Sequence, residues 1–236
     1  MNGSIMQRNK PGTCLAVAAL LLTTMVPELS RAQNIRIVGK TKIYRNTVRQ
    51  DSLKRMVELH TLSPGIRYDL RYATENNFTG RRLYPKGNRT FLRLLPARAL
   101  ASVQDSLRQQ GIGLRIFDAY RPHAATRLMW ELVHDERYVA NPAKGSGHNR
   151  GLAVDLTLVD LKSGNELNMG TGFDNFSDSA HSDYRNLPDG VLANRRLLRG
   201  VMEAKGFSVL STEWWHFYWP NDRDYEVLDL PFKALR

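Results

Sequence analysis

Two short stretches of the sequence carry side chains that could bind a metal and move a proton. The first runs from Ser146 to Asp155 and contains His148, and the second is Glu213-Trp-Trp-His216. Two imidazoles and one carboxylate are ligands that zinc uses when it keeps one coordination position open for chemistry. The sequence therefore predicts a zinc site with His148, Asp155 and His216 as ligands. Glu213 is then the candidate general base.

The strands that must position these groups set a geometric condition. Residues 152–158 form an apolar strand, in which alternation places Asp155 on one face and Leu156 on the other. Burying Asp155 is costly unless a metal or hydrogen bonds offset its desolvation, and the alternative role for it is to accept hydrogen bonds from turn amides. Glu213 and His216 are three residues apart, so both reach one metal only if a bulge or a strand start intervenes.

Arg121 follows a second buried strand and precedes Pro122. A guanidinium in that turn could stabilise the oxyanion that develops when a peptide carbonyl is attacked. The alternative is that Arg121 pairs with Asp118 and only holds the turn.

These motifs resemble those of a known family. The pattern SxHxxGxAxD followed by ExWH is similar to the zinc D-alanyl-D-alanine metallopeptidases, whose fold is shared with lysostaphin-type peptidases and the hedgehog signalling domain. Segments 68–80, 117–122 and 169–174 narrow the resemblance to the VanX-type D-alanyl-D-alanine dipeptidases. The resemblance runs from about Met56 to the C-terminus.

The resemblance implies one zinc ion per chain on the same three ligands, with Glu213 and Arg121 as catalytic residues. It also implies that Asp174 pairs with the substrate ammonium group and that Ser146 lies near its carboxylate. For Asp174, an acidic side chain that caps a turn in a polar, glycine-rich loop is the alternative. The candidate substrate-binding residues are Ser146, Asp174, Tyr72, Asn77 and Phe78.

The pattern of elements predicts an α+β fold in a single domain. We expect an antiparallel sheet with helices packed on one side and the zinc site on the sheet. The predicted helices are 94–110, 124–135 and 194–204, and the predicted strands include 114–117, 152–158, 207–210 and 214–219.

The N-terminus has the features of a secretory signal peptide. Arg8 and Lys10 precede an apolar run over 15–26, and Ser30-Arg-Ala32 is a small-x-small cleavage site. The apolar run is too short for an ordinary transmembrane helix, although an uncleaved anchor is the alternative. We therefore expect a signal peptide (1–32), an N-terminal arm (33–55) and a zinc D,D-dipeptidase domain (56–236). The mature protein would be exported, periplasmic or secreted, with no membrane span.

Cleavage after Ala32 would leave 236 − 32 = 204 residues and remove Cys14, the only cysteine. The mature chain could then have no disulfide and no thiolate ligand. Its formal charge would fall from +11 to +9, because the removed segment has three basic residues and one acidic residue. Export argues against nucleic acid as the partner of this basic chain, and anionic envelope polymers are the better candidate. A solvated basic surface that aids solubility is the alternative.

Taken together, the sequence predicts zinc-dependent hydrolysis of a small D,D-dipeptide, D-alanyl-D-alanine, in cell-wall peptide turnover. One alternative is a D,D-carboxypeptidase or endopeptidase that acts on longer peptidoglycan peptides. An enclosed pocket with Asp174 at its far end would favour the dipeptidase, whereas an open groove would favour the alternative. A non-catalytic envelope-binding module with a structural zinc is a third hypothesis.

Overall fold

Nine strands and six helices form the part of the chain that the computed structural model describes, namely residues 1, 3, 35–87 and 89–235. The strands are β1 (Ile37–Val38), β2 (Met56–Glu58), β3 (Arg67–Tyr68), β4 (Phe91–Arg93), β5 (Ile112–Asp118), β6 (Ala153–Asp160), β7 (Ser208–Leu210), β8 (Glu213–Tyr218) and β9 (Val227–Leu228). The helices are α1 (Thr41–Gln50), α2 (Leu59–Leu62), α3 (Leu94–Arg108), α4 (His123–Trp130), α5 (Gly147–Arg150) and α6 (Asp189–Glu203).

The central sheet has five strands in the order β3-β5-β6-β8-β7. The pairs β5–β6, β6–β8 and β7–β8 are antiparallel, and only the short edge pair β3–β5 is parallel. The predicted antiparallel sheet is therefore confirmed for the strands that carry the candidate ligands. Two small sheets lie outside it, an antiparallel β2–β4 pair and a parallel β1–β9 pair.

Two long helices cover one face of this sheet. Helix α3 contacts β5 and α6, and α6 contacts β6 and β8. Helix α3 buries Leu100, Val103 and Leu107 fully, at helical spacing. Strand β6 buries Leu156 and Leu158, which alternate along the strand and share one face. Since alternate β6 side chains point to opposite faces, Asp155 lies on the face away from these leucines. The predicted α+β fold, an antiparallel sheet with helices packed on one side, is confirmed.

The segment predicted as an N-terminal arm is folded onto the domain where the structure describes it. Strand β1 pairs with β9, and α1 buries Tyr44, whose hydroxyl accepts a hydrogen bond from the Met56 amide at 2.7 Å. Within the predicted arm of residues 33–55, the described part therefore contains a short strand and a helix of ten residues. Tyr44 and Val48 are one helical turn apart and pack against a second apolar cluster, a weak signal among many basic residues.

Other element boundaries differ from the predictions in smaller ways. Helix α6 starts at Asp189, earlier than predicted, because Pro188 and an acidic first turn are favourable at a helix N-terminus. Helix α4 ends at Trp130, before the predicted end at 135.

The predicted signal peptide lies outside the described residues, apart from residues 1 and 3. Among the residues that the structure describes, no helix has the length and apolar character needed to cross a membrane.

Candidate active site

A short capped helix delivers the first candidate ligand. The Ser146 hydroxyl oxygen accepts a hydrogen bond from the Asn149 amide, and the Asn149 side-chain oxygen accepts one from the Ser146 amide. This reciprocal capping box starts α5, which carries His148. Gly151 ends α5 with φ = 69°, and a Cβ there would lie 2.6 Å from the Met56 side chain. The sequence therefore needs glycine where the chain turns into β6.

The three predicted ligands lie together, with His148 on α5, Asp155 near the start of β6 and His216 in the facing part of β8. Asp155 and His216 are direct partners in the β6–β8 register, with Asp155 Oδ1 2.9 Å from His216 Nδ1. His148 Nε2 is 3.2 Å from His216 Nδ1 and 3.3 Å from Asp155 Oδ2. One ligand atom from each residue lies within 4.8 Å of the others, so this group could hold a metal ion.

The surroundings of this group suit a metal site. His148 Nδ1 lies 2.7 Å from the Ala119 carbonyl oxygen, a contact in which Nδ1–H donates and Nε2 keeps its lone pair towards the cluster. Burial acts to raise the pKa of Asp155, but the two imidazoles outweigh this effect and hold its pKa below the usual value. A buried carboxylate and two ring nitrogens that converge on one point fit a divalent cation.

Glu213 reaches the same point because β8 is irregular. Opposite β7, the pairing passes from Val209↔Phe217 to Leu210↔Glu213, which leaves three β8 residues without partners in β7. The irregularity predicted from the Glu213–His216 spacing is thus confirmed. Glu213 Oε2 lies 3.9 Å from His216 Nδ1. Burial, and then the charge of Asp155, raises the pKa of Glu213 well above its usual value.

Arg121 is held by Asp118 and also faces the ligand group. Its Nε and Nη2 atoms lie 2.8 and 2.7 Å from Asp118 Oδ2, and Nη2 is 3.9 Å from Asp155 Oδ2. The Tyr84 hydroxyl donates to the other Asp118 oxygen at 2.9 Å. The pair with Asp118 therefore fixes the direction of a guanidinium that lines the cavity, so the two roles considered for Arg121 are compatible.

Asp174 lies in the wall of the same cavity, which has a volume of about 250 Å³. Its Oδ1 atom accepts a hydrogen bond from the Tyr72 hydroxyl at 2.9 Å. Its Oδ2 atom is buried and has no hydrogen-bond partner among the described residues. Burial raises the pKa of Asp174 to about 7.

The cavity contains most of the other predicted substrate-binding residues. Ser146, Tyr72 and Phe78 line it. Asn77 does not, because its side-chain nitrogen donates to three backbone carbonyls, those of Arg71, Thr74 and Arg81, and so stabilises the loop. The prediction of Asn77 in the pocket wall is corrected accordingly.

An aromatic cluster at the cavity was not predicted from the sequence. The Phe176 ring lies 5.4 Å from Phe78 and 4.8 Å from Tyr138, measured between centroids. Phe173 lies 5.8 Å from Tyr72 in the same way. The cluster joins three segments that are far apart in the chain, and their only common sequence signal is aromatic residues in polar loops.

Comparison with known proteins agrees with this geometry. Residues 52–233 match the family model Peptidase_M15, described as D-ala-D-ala dipeptidase. A D-alanyl-D-alanine dipeptidase of Escherichia coli is 38% identical over 180 residues, which cover 76% of this chain and 92% of the relative. Proteins with the same name from Streptomyces coelicolor and Enterococcus faecalis are 35% and 33% identical, over 66% and 71% of this chain and 87% and 89% of theirs.

Among solved structures, the LdcB LD-carboxypeptidase aligns with a TM-score of 0.38 and 20% identity, over 57% of this chain and 62% of that one.

The family match covers the whole candidate site, from Tyr72 to His216, and the relatives are aligned over most of their own length. The chain therefore belongs to the D-Ala-D-Ala dipeptidase family of metallopeptidases.

Proposed function

We propose that this protein is a zinc enzyme that hydrolyses the free dipeptide D-alanyl-D-alanine. The observation that carries the proposal is the content of the cavity. Its wall contains the His148–Asp155–His216 group and also the carboxylate of Asp174, of which one oxygen has no hydrogen-bond partner among the described residues. The ligand group offers a site for peptide hydrolysis, and Asp174 offers a partner for a cation. The relatives named as D-alanyl-D-alanine dipeptidases support the same substrate.

The donor set supports zinc as the metal. Two neutral imidazoles and one carboxylate are a ligand set of catalytic zinc sites, and the described residues bring no thiolate to the cavity. When bound there, zinc supplies Lewis acidity, which activates water and polarises a peptide carbonyl.

Glu213 is positioned to handle the proton in this reaction. Its carboxylate would accept a proton from the attacking water and pass it to the leaving amine. Arg121 presents its guanidinium beside Asp155, where it would donate to the carbonyl oxygen as negative charge develops. The Ser146 oxygen already accepts from Asn149, so its hydrogen remains available to donate to the substrate carboxylate.

Asp174 would recognise the other end of the substrate. A dipeptide has its free ammonium group one residue from the scissile bond, so an acid in the same small cavity can pair with it. The aromatic cluster of Phe78, Phe176 and Tyr138 adds bulk to the neighbouring loops. These features favour a dipeptide over the longer peptides of a carboxypeptidase or endopeptidase. The presence of both Glu213 and Arg121 in the cavity argues against a non-catalytic module.

We expect the purified protein to bind one zinc ion per chain through His148, Asp155 and His216. Alanine at any one of these positions should lower metal content sharply, since each donates one ligand atom to the same group. Chelation should abolish hydrolysis of D-alanyl-D-alanine, and added zinc should restore it. His181→Ala is a suitable control, because His181 lies outside the cavity wall. Full metal occupancy after His148→Ala and His216→Ala together would place the site elsewhere.

The preference for a free amino end should depend on pH. Asp174 has its pKa raised to about 7 by burial, so lowering the pH below 7 protonates it and removes its charge. The ratio of kcat/KM for the free dipeptide to that for N-acetyl-D-alanyl-D-alanine should therefore decrease as pH falls from 7 to 6, a range in which the substrate amino group, with an ordinary pKa of about 8, is already protonated. Titration of Glu213 affects both substrates and cancels in the ratio. In Asp174→Asn the ratio should stay constant over the same range, and an equal decrease in that variant would exclude Asp174 as its source.

We also propose that the protein is exported and that its basic surface favours association with anionic envelope polymers. The support is the signal-like sequence of residues 1–32 and the formal charge of +9 that the chain would keep after cleavage. Cell fractionation with mass spectrometry of the mature N-terminus tests the export. An intact N-terminus in the cytoplasm would contradict it.

A further inference from the structure

The loop that presents Asp174 has little regular structure of its own. It joins β6 to α6, and within it the structure has one 3₁₀ turn, Asp178–Ala180, and one isolated bridge between Glu166 and Val159. Asp174 itself has φ = 58°, a left-handed conformation that costs free energy for a residue other than glycine. Such a conformation persists only when its surroundings hold it. The position of Asp174 therefore depends on contacts made by the rest of the loop.

One side chain of α6 holds this loop on both sides of Asp174. Arg195 Nε donates to the Met169 carbonyl oxygen at 2.8 Å, five residues before Asp174. Its Nη2 donates to the Ser179 carbonyl at 2.9 Å, five residues after Asp174, and its Nη1 donates to the His181 carbonyl at 3.1 Å. Arg195 is 7% exposed. Three charge-assisted hydrogen bonds from one planar group thus join the two halves of the loop.

The contacts around Arg195 continue towards the active site. Its guanidinium carbon lies 5.7 Å from the centroid of the Trp214 ring. Trp214 follows Glu213 directly in the sequence. The Trp214 indole N–H donates to the Thr171 hydroxyl of the same loop at 2.8 Å. Arg195 forms no ion pair with a carboxylate among the described residues. Its buried N–H groups donate to backbone carbonyl oxygens of the loop instead.

We propose that Arg195 is a positioning residue for recognition of the substrate's amino end. By fixing the loop at Met169, Ser179 and His181, it sets the place of Asp174 and hence the preference for a free over a blocked amino group. This inference rests on the proposed function, in which Asp174 pairs with the substrate ammonium group. Without Arg195, part of the binding free energy is spent on ordering the loop when the substrate binds. The substrate ammonium group then also meets an Asp174 carboxylate that is less accurately placed.

Lysine cannot replace this arrangement. Its single ammonium group can reach one or two of the carbonyls, whereas the guanidinium fork spans three in fixed directions. Arg195→Lys should therefore raise KM for free D-alanyl-D-alanine by about 10- to 100-fold, the effect of a misplaced binding group. The kcat/KM for N-acetyl-D-alanyl-D-alanine, which has no ammonium group to place, should change little. Metal content should equal that of the unmutated protein.

The matched control is Arg196→Lys, the same change on the exposed side of α6, where KM should not change. A milder variant is Asn194→Ala, which removes a hydrogen bond of 2.9 Å to the Asn168 carbonyl at the same end of the loop. Asn194→Ala should also raise KM, but by less than Arg195→Lys. If Arg195→Lys does not fold, the KM of Asn194→Ala tests whether anchoring of the loop affects recognition of the amino end. In an Asp174→Asn background, Arg195→Lys should raise KM no further.

Two results would overturn the inference. The first is that Arg195→Lys lowers kcat/KM equally for the free and the acetylated dipeptide. The second is that Arg195→Lys raises KM as much in the Asp174→Asn background as it does in the unmutated protein. Either would make Arg195 a purely structural residue. Failure of the proposed function looks different, because Asp174→Asn alone would then leave the ratio between the two substrates unchanged.

Discussion

Glu213→Ala is expected to lower kcat on D-alanyl-D-alanine by about two to four orders of magnitude, the scale of a lost general base. The metal and the fold should remain, because the three candidate ligands come from other residues. The loss should therefore appear in kcat and not in metal content. Steady-state kinetics and metal analysis of the same preparation measure both.

Glu136 offers a matched control for this experiment. It is a glutamate in the wall of the same cavity, but it is exposed and pairs with Lys144. Glu136→Ala should retain turnover close to that of the unmutated enzyme. A near-normal kcat for Glu213→Ala would remove Glu213 from the mechanism.

N-acetylation of the substrate is expected to have a similarly large effect. Acetylation removes the positive charge and leaves the Asp174 carboxylate buried without its partner. Breaking a buried charge pair from one side costs about 2–5 kcal/mol, or roughly 30- to several-thousand-fold in kcat/KM. The comparison needs only kcat/KM for the free and the acetylated dipeptide.

Asp174→Asn should lower activity on the free dipeptide and narrow the gap between the two substrates. The matched control is Asp183→Asn, since Asp183 is an exposed aspartate later in the same loop. If Asp174→Asn and Asp183→Asn discriminate equally well between the substrates, Asp174 has no part in recognising the ammonium group.

The parts of the site that could be predicted from the sequence are those with local signals. The alternation in residues 152–158 placed Asp155 and Leu156 on opposite faces of the strand, and in the structure Asp155 lines the cavity whereas Leu156 is buried in the core. The three-residue spacing of Glu213 and His216 required an irregular strand, and the register of β7 and β8 shifts there. In both cases the constraint comes from strand geometry within a few residues.

The rest of the site depends on contacts that sequence periodicity does not record. The helix α1 was missed because Tyr44 and Val48 are its main apolar contacts in a basic segment. The aromatic cluster around Phe176 and the hydrogen bonds of Arg195 join irregular loops to distant elements. Their partners are set by the path of the whole loop and not by residue types nearby.

The measurement that tests the central claim most directly compares substrate lengths in the unmutated, zinc-loaded enzyme. Release of D-alanine is followed from free D-alanyl-D-alanine and from a cell-wall pentapeptide that ends in the same two residues. Since the pentapeptide has no ammonium group beside the terminal pair, it lacks the partner of Asp174. The account predicts a kcat/KM for the free dipeptide at least about 30-fold higher. Equal or faster hydrolysis of the pentapeptide would contradict the dipeptidase function and support a D,D-carboxypeptidase.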